Sequence, residues 1–266
     1  MSKKLLDIIF ASEKRKNVLL LLLDGAKEMN TLLDLLETSR NSLLPQIRFL
    51  EDHYLVNHYN DTYELTSIGK LIAEKMVPLL ETIDVLDCDI DYWGTRYLNF
   101  IPPHLLQNID KLGKCKVITP AFTDIYKLNE EILETSPISK SHYGIVTFYH
   151  PLFPQFLSKM ISNNVNVHMI VSQPVMEGFR TEHSIEFEQL MQSELLHFSV
   201  YNGNMSFVGF ACNDYYFMMR LLKNNGEYDT KYILCNNKEA LEWGKELFAH
   251  CLKSSTSIDN TTSKFD

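Results

Sequence analysis

From Asn30 to Gly69 the apolar pattern of the chain changes period repeatedly, in an order that few folds accept. Leading into it, Met29, Leu32, Leu33 and Leu36 recur at helical spacing, and Thr38-Ser39 supplies a turn. Leu43, Ile47 and Leu50 then recur at helical spacing again, so they face a core. Two short strands follow, 57–60 and 62–66, joined by Asn60-Asp61, a pair that tolerates the left-handed backbone of a tight turn. Helix, turn, helix and hairpin is the order of a winged helix-turn-helix, a shape that lays its second helix in the major groove of DNA.

With Leu43, Ile47 and Leu50 turned inward, Arg40, Asn41, Ser42, Leu44, Gln46 and Arg48 are left outside. Arginine matches guanine O6/N7, and Asn or Gln matches adenine N6/N7, so direct readout falls to Arg40, Asn41, Gln46 and Arg48. Ser39 and Ser42 suit phosphates, as does the helix N-terminus. His58, Tyr59 and Asn60 in the wing are placed for the backbone or the minor groove. Pro45 constrains where this helix starts, because inside a helix it removes a hydrogen bond and crowds the preceding turn. A start with Ser42 as N-cap puts Pro45 in the first turn, where N–H groups lack partners anyway; a start at Ser39 would kink the helix. The later start is favoured.

The charge balance is unusual for a DNA binder. The chain carries a net charge of −9, and residues 1–75 hold ten Lys/Arg against eleven Asp/Glu. Counterion release from a single copy would be modest, and a homodimer, usual for this motif, doubles the phosphate contacts. The five cysteines (Cys88, Cys115, Cys212, Cys235, Cys251) include no C-x-x-C pair, which points to a reducing compartment. The apolar run at 18–23 falls far short of the roughly 20 residues a membrane span needs. The sequence therefore reads as cytoplasmic, without membrane segment or cofactor.

Before the motif, Leu5, Ile8, Ile9, Val18, Leu19, Leu22 and Leu23 have helical spacing around a basic Lys14-Arg15-Lys16 cluster. After it, Leu71, Ile72, Met76, Leu79, Leu80 and Ile83 predict a long amphipathic helix bent at Pro78, suited to a dimer strut. Asp87, Asp89 and Asp91 have the D-x-D-x-D spacing of a calcium loop, but Tyr92 stands where that loop needs glycine and Leu98 where it needs glutamate. A solvated acidic face is the reading, and no metal is expected. From Gly113 strand-like runs at 115–119, 143–149, 165–171, 196–200, 207–212, 215–221 and 231–234 alternate with helical stretches at 121–133, 152–163, 182–194 and 238–252. The fold class is thus α+β and α/β. A winged helix-turn-helix at 1–75 is followed by a helical linker at 76–109, an α/β sensor domain at 110–252, and a Ser/Thr-rich tail at 253–266 that reads as disordered.

Leu55-Val56, the run Tyr63-Glu64-Leu65-Thr66-Ser67-Ile68-Gly69, and Tyr92-Trp93 followed by Ile101-Pro102-Pro103-His104-Leu105-Leu106 and Leu112 resemble the archaeal methanogenesis-regulator family. The resemblance extends over nearly the whole length. It implies an ArsR-like winged helix-turn-helix joined to an effector domain with a phospholipase-D-like sheet, acting in transcription. It does not say which genes are controlled.

A phospholipase-D-like sheet raises phosphodiesterase chemistry, which needs a histidine two residues before a lysine. None of the nine histidines has that neighbour, and G-x-S-x-G, P-loop and G-x-G-x-x-G motifs are missing. The reading is a non-enzymatic, ligand-responsive regulator of double-stranded DNA; a protein-association module and a phosphodiesterase are the alternatives. Candidate residues for an unknown small anionic or amphipathic effector are Tyr143, Tyr149, His150, Arg180, Tyr201 and Arg220, with Phe148, His168 and Phe179 nearby. Arg180 and Arg220 matter most, since a buried arginine requires an anionic partner.

Overall fold

The computed structural model describes residues 4–121, 127–182, 184–203, 205 and 207–258. The chain forms two compact units that divide between Glu81 and Thr82.

The first unit opens with α1 (Leu5–Phe10) and α2 (Glu13–Leu21), which the sequence pattern merged into one helix. A two-residue strand β1 (Lys27–Glu28) precedes α3 (Met29–Leu35) and α4 (Arg40–Glu51). The wing is β2 (Val56–Tyr59) and β3 (Thr62–Leu65), and α5 (Ser67–Asp87) follows. Asn60 and Asp61 both adopt positive φ, 47° and 62°, the backbone of a tight hairpin turn. The short β1, too brief to show a period, pairs with β3 and widens the wing to three strands in the order β1-β3-β2. Val18, Leu19, Met29, Leu32, Leu43, Ile47, Leu50, Tyr63 and Met76 form one buried cluster beneath these elements.

The turn into α5 explains the run ending at Gly69. Thr66 caps the helix: its Oγ1 accepts the Gly69 N–H at 2.9 Å and donates to the Tyr54 carbonyl at 2.6 Å. Gly69 packs so closely on the wing entry that a Cβ would lie 2.0 Å from the Leu55 carbonyl oxygen.

The second unit comprises α6 (Ile90–Gly94), α7 (Pro103–Leu106), β4 (Lys116–Ile118), α8 (Glu130–Thr135), β5 (Ser141–Val146) and α9 (Phe153–Ser162). It continues through β6 (Asn166–Val171), α10 (Gln173–Glu182), α11 (Ser184–Met191), β7 (Leu196–Tyr201), β8 (Phe207–Cys212) and β9 (Phe217–Leu221). β10 (Tyr232–Cys235), α12 (Lys238–Leu252) and β11 (Ser255–Ser257) complete it. The strands form one mixed sheet in the order β11-β7-β6-β5-β8-β9-β10-β4. β5, β6 and β7 are mutually parallel, and every other pairing is antiparallel. The β8–β9 hairpin turns where Asn213-Asp214 predicted it. The buried Asn213 Oδ1 accepts the Tyr215 and Tyr216 N–H groups, each at 2.8 Å.

Two expectations about extent change. The stretch 82–109, expected as part of a linker at 76–109, buries Val85, Tyr92, Trp93, Ile101, Leu105 and Ile109 in the core of this unit. Ser255–Ser257, expected to be disordered, pairs with β7 as an edge strand, because the end of α12 delivers it alongside Tyr201. The rest of that tail, 259–266, lies outside the described residues, as do 122–126 of the helix expected at 121–133. Among the described residues no helix is long and apolar enough to cross a membrane.

Replacing Gly69 by alanine drives a methyl into the Leu55 carbonyl, and we expect a loss on the order of 3 kcal/mol. Thermal unfolding followed by circular dichroism measures this; a change near zero would mean the wing entry moves aside without cost.

Candidate nucleic-acid interface and effector cavity

Helix α4 begins earlier than its sequence suggested. Ser39 is its N-cap residue, and the Ser42 and Leu43 N–H groups both donate to the Ser39 carbonyl at 3.0 Å. Pro45 is therefore inside the helix. Ser42, expected as the N-cap, is instead inside the helix, and its hydroxyl accepts a hydrogen bond from Lys14 Nζ. Lys14 belongs to the basic cluster of α2, whose charges are used to hold α4. The guanidinium of the buried Arg15 sits 4.7 Å from the Phe49 ring centroid, and Lys16 pairs with Glu13 at 2.6 Å.

What remains exposed on α4 is narrower than the sequence list. Asn41, Pro45 and Arg48 are exposed and lie opposite the buried Leu43, Ile47 and Leu50. Arg48 and Asn41 make no hydrogen bond or ion pair with the described residues, so both keep their full donor sets for another molecule. Arg40 and Gln46 flank this stripe. Arg40 Nη2 reaches Asp61 Oδ1 of the wing turn at 3.3 Å, and Gln46 is half-buried. Ser39 is exposed at the helix start, and Ser42 is half-buried.

On the wing, His58 stacks on Tyr63 with ring centroids 4.4 Å apart, and its Nδ1 lies 3.7 Å from Glu51. Tyr59 at the tip is 78% exposed, with Asn60 exposed beside it. Exposed Tyr59 and Asn60 next to a helix face carrying Asn41 and Arg48 is a surface fit for groove and phosphate contacts.

In the second unit the register decides which candidate residues can meet. Val146, Gly209 and Arg220 pair in one row across β5, β8 and β9. Tyr143, Cys212, Phe217 and Cys235 form another row three residues away along β5, β8 and β9, on the opposite face. Tyr143 lies against Phe248 of α12 and stacks on His168 at 4.9 Å, which stacks on His197 at 4.5 Å; Tyr201 packs on the same core. Tyr149 meets Phe179 edge-on at 5.3 Å, His150 Nδ1 accepts the Leu152 N–H at 3.1 Å, and Arg180 is exposed on α10. The six effector candidates thus do not line one pocket.

Arg220 does line one. A cavity of about 90 Å³ lies between the sheet and helices α8 and α9, bounded by Ile132, Leu133, Phe153, Leu157, Met169 and Met218. The buried His142 also lines it; its Nδ1 is 2.9 Å from Ser136 Oγ. The sequence pattern missed this cavity because Ile132, Leu133, Phe153 and Leu157 carry no signal that separates a lining residue from core.

The other sequence-marked groups are structural. Asp89 caps α6, accepting the Tyr92 N–H at 2.8 Å, and pairs with Lys231 at 3.2 Å; the backbone bond above all holds its carboxyl low. The cysteines, unpaired by spacing, do meet in space: Cys88 Sγ and Cys115 Sγ are 3.6 Å apart. Hydrogen bonding from Cys235, and then from Cys88, draws the Cys115 thiol down to about 7.

Two family models match the chain. The N-terminal domain of the methanogenesis regulatory protein FilR1 matches residues 3–84, and the FilR1 middle domain matches residues 125–254. The methanogenesis regulatory protein FilR1 of Methanothrix harundinacea (strain 6Ac) is 23% identical over 263 residues, which span 96% of this chain and 58% of that protein. The chain thus spans less than two thirds of the curated relative it matches. Among solved structures, TrmBL2, described as an archaeal chromatin protein with a novel mode of DNA binding, aligns over 94% of this chain and 95% of its own, with 10% identity and a TM-score of 0.42. Nuc from Salmonella typhimurium, a phospholipase D family member, aligns over 48% and 89%, with 13% identity and a TM-score of 0.37.

Burial, with a smaller effect of His168, pushes the His142 imidazole down from 6.5 to about 4. In the unfolded chain this histidine takes up its proton near 6.5, so between 6.5 and 4 the unfolded state binds more protons than the folded one. Stability is then full above that window and falls by about 3 kcal/mol on acidification through it. Urea unfolding across this pH range, followed through the buried Trp93 and Trp243, should show the slope in the wild type and a flatter one in His142→Gln. Equal slopes would remove His142 as the cause.

Proposed function

Because the chain belongs to the FilR1 family of methanogenesis regulatory proteins, we propose that it is a transcriptional regulator that grips duplex DNA through α4 and the wing. The observation that carries this is the exposed face of α4. Asn41 and Arg48 stand there without hydrogen-bond or ion-pair partners among the described residues, on a helix that the Lys14–Ser42 bond and the Arg15–Phe49 contact hold in place. In this reading Arg48 and Asn41 read base edges, Arg40 and Gln46 contact the flanks, Ser39 and Ser42 sit over phosphate, and His58, Tyr59 and Asn60 lie along the adjoining backbone.

The regulator acts as a homodimer. Ile68, Leu71, Leu79 and Ile83 are exposed along α5, one turn apart at each end and two turns apart across Lys75, an apolar stripe suited to a second copy of the same helix. Two copies also offset the near-neutral charge of residues 1–75, since each contributes a set of phosphate contacts to one half-site. The second unit supplies the response. An effector in the Arg220 cavity binds one state of the dimer more tightly than the other and so changes the fraction able to engage both half-sites.

Fluorescence anisotropy on the DNA upstream of its own gene, titrated with salt and unrelated duplex, tests the DNA-binding reading. Binding should resist the competitor and fall linearly with log salt, and Arg48→Ala should weaken it by about 1–3 kcal/mol. Displacement by any duplex at equal concentration, or an unchanged affinity in Arg48→Ala, Arg40→Ala and Gln46→Ala together, would count against it. For the dimer, Leu71→Glu with Leu79→Glu should convert a two-copy species to one copy in light scattering and lower operator affinity at least about tenfold. A wild type that scatters as a single copy at micromolar concentration would remove the dimer.

A further inference from the structure

Among the described residues, Arg220 is a charge without a counter-ion. It is 8% exposed, and its Nε has no hydrogen-bond partner. Nη1 donates to the Tyr228 hydroxyl at 3.2 Å, and the guanidinium carbon lies 5.3 Å from the Tyr232 ring centroid. Among the described residues no carboxylate pairs with it. A phenol and a ring face soften the cost of burying a cation but do not neutralise it. The same unit holds an arginine that differs in its counter-ion: Arg96, 4% exposed, also has a buried Nε and an Nη1 without hydrogen-bond partners, but it stacks on Tyr92 and pairs with the carboxylate of Asp229.

The space in front of Arg220 comes from its neighbour in the row. A Cβ on Gly209 would meet only the Ile145 carbonyl oxygen, at 3.9 Å, so any side chain there would enter open volume. Gly144 differs, since a Cβ there would lie 2.5 Å from Met169 Sδ and the methionine side chain would have to shift. A register shift between Phe207 and Gly209 breaks the ladder beside Arg220, the kind of irregularity that re-aims a side chain next to a site. Arg220 is the buried permanent charge of the cavity lining; Lys127, exposed, stands at the same lining, and His142 stays neutral near pH 7.

Resting on the reading of this cavity as the effector site, we propose that it binds a short-chain aliphatic monocarboxylate. The carboxylate takes the open Nε edge of Arg220, and the alkyl tail lies against Ile132, Leu133, Phe153 and Leu157. One buried cation calls for one negative charge, and apolar walls exclude a bare inorganic anion. The size follows from the volume: about 90 Å³ is below the roughly 150 Å³ that accommodates benzene, so the acid has about three or four carbons.

Isothermal titration calorimetry on the full chain, without DNA, tests this with sodium butyrate as the probe. Butyramide matches its shape without the charge, inorganic phosphate keeps charge without the tail, and octanoate exceeds the volume. Saturable binding of butyrate, with at least about tenfold weaker binding of the other three, is the expected result. Arg220→Met should abolish it. Gly209→Val, which fills the void without a backbone clash, should abolish it too while leaving the circular dichroism spectrum unchanged. Equal binding of butyramide or phosphate, butyrate binding retained in both variants, or no saturable heat at about 10 mM butyrate would overturn the proposal. These heats are read without DNA, so a failure here leaves the anisotropy result standing, and the reverse holds as well.

Discussion

The two-residue alternation of the mixed sheet sorts almost every chemically interesting side chain of the larger unit. Residues that pair across β5, β8 and β9 share a face, and their sequence neighbours take the other. One face carries Ile145, Phe210, Cys212, Phe217 and Met219 into a core capped by Trp243, Leu247 and Phe248 of α12. The strands' other face carries Val146, Met169 and Val171 into a core under α9, α10 and α11. A slip of one residue in any strand would exchange the two sets, so two unlike helical covers on the two faces define the register strongly. Arg220 and its cavity exist only because this register puts a glycine opposite an arginine.

The smaller unit depends on a different economy of charge. A basic cluster on α2 suggests a phosphate surface, yet its three residues are taken up by Ser42, Phe49 and Glu13. Lys14 and Arg15 hold α4 through Ser42 and Phe49, while Lys16 pairs within α2. The cations left to act outward are few, and this agrees with an amino-terminal region whose acidic and basic residues nearly cancel. In the proposed reading, long-range attraction to DNA is weak for one copy, and affinity rests on how well a few donors fit the groove. The Thr66 cap and the close approach of Gly69 to Leu55 attach the wing to α5, which makes the wing a fixed part of the surface.

Both units thus leave a small number of unsatisfied donors in well-supported places. On α4 they are exposed, where water satisfies them until another molecule arrives, and leaving them unpaired costs little. At Arg220 the donor is buried, and the open Nε is costly unless an anion or water occupies the cavity. That difference is why the first suits a large, polyanionic partner reached from solvent and the second a small anion enclosed by apolar walls. It also gives the cavity a means to shift populations, since filling it relieves a cost present only when the cation is buried.

The local patterns in the sequence were enough for the order of the motif, the hairpin at Asn60-Asp61, the strand Phe207–Cys212, the helix Lys238–Leu252 and the inward face of α4. Periodicity, turn chemistry and capping act over a few residues, so they are written in the chain itself. The start of α4 is at Ser39 rather than Ser42, and the contact of the Ser42 hydroxyl with Lys14, distant in sequence, was not legible locally. Strand β1 and edge strand β11 were invisible because two or three residues show no period and form only against a partner already in place. The aromatic and cationic residues of the sheet were legible as a class, but not their division between two faces, which is set by pairing register among strands far apart in the chain. The sequence determined which elements form and which residue types could bind. Only the tertiary structure decided which of them meet, because burial and strand register are properties of long-range packing.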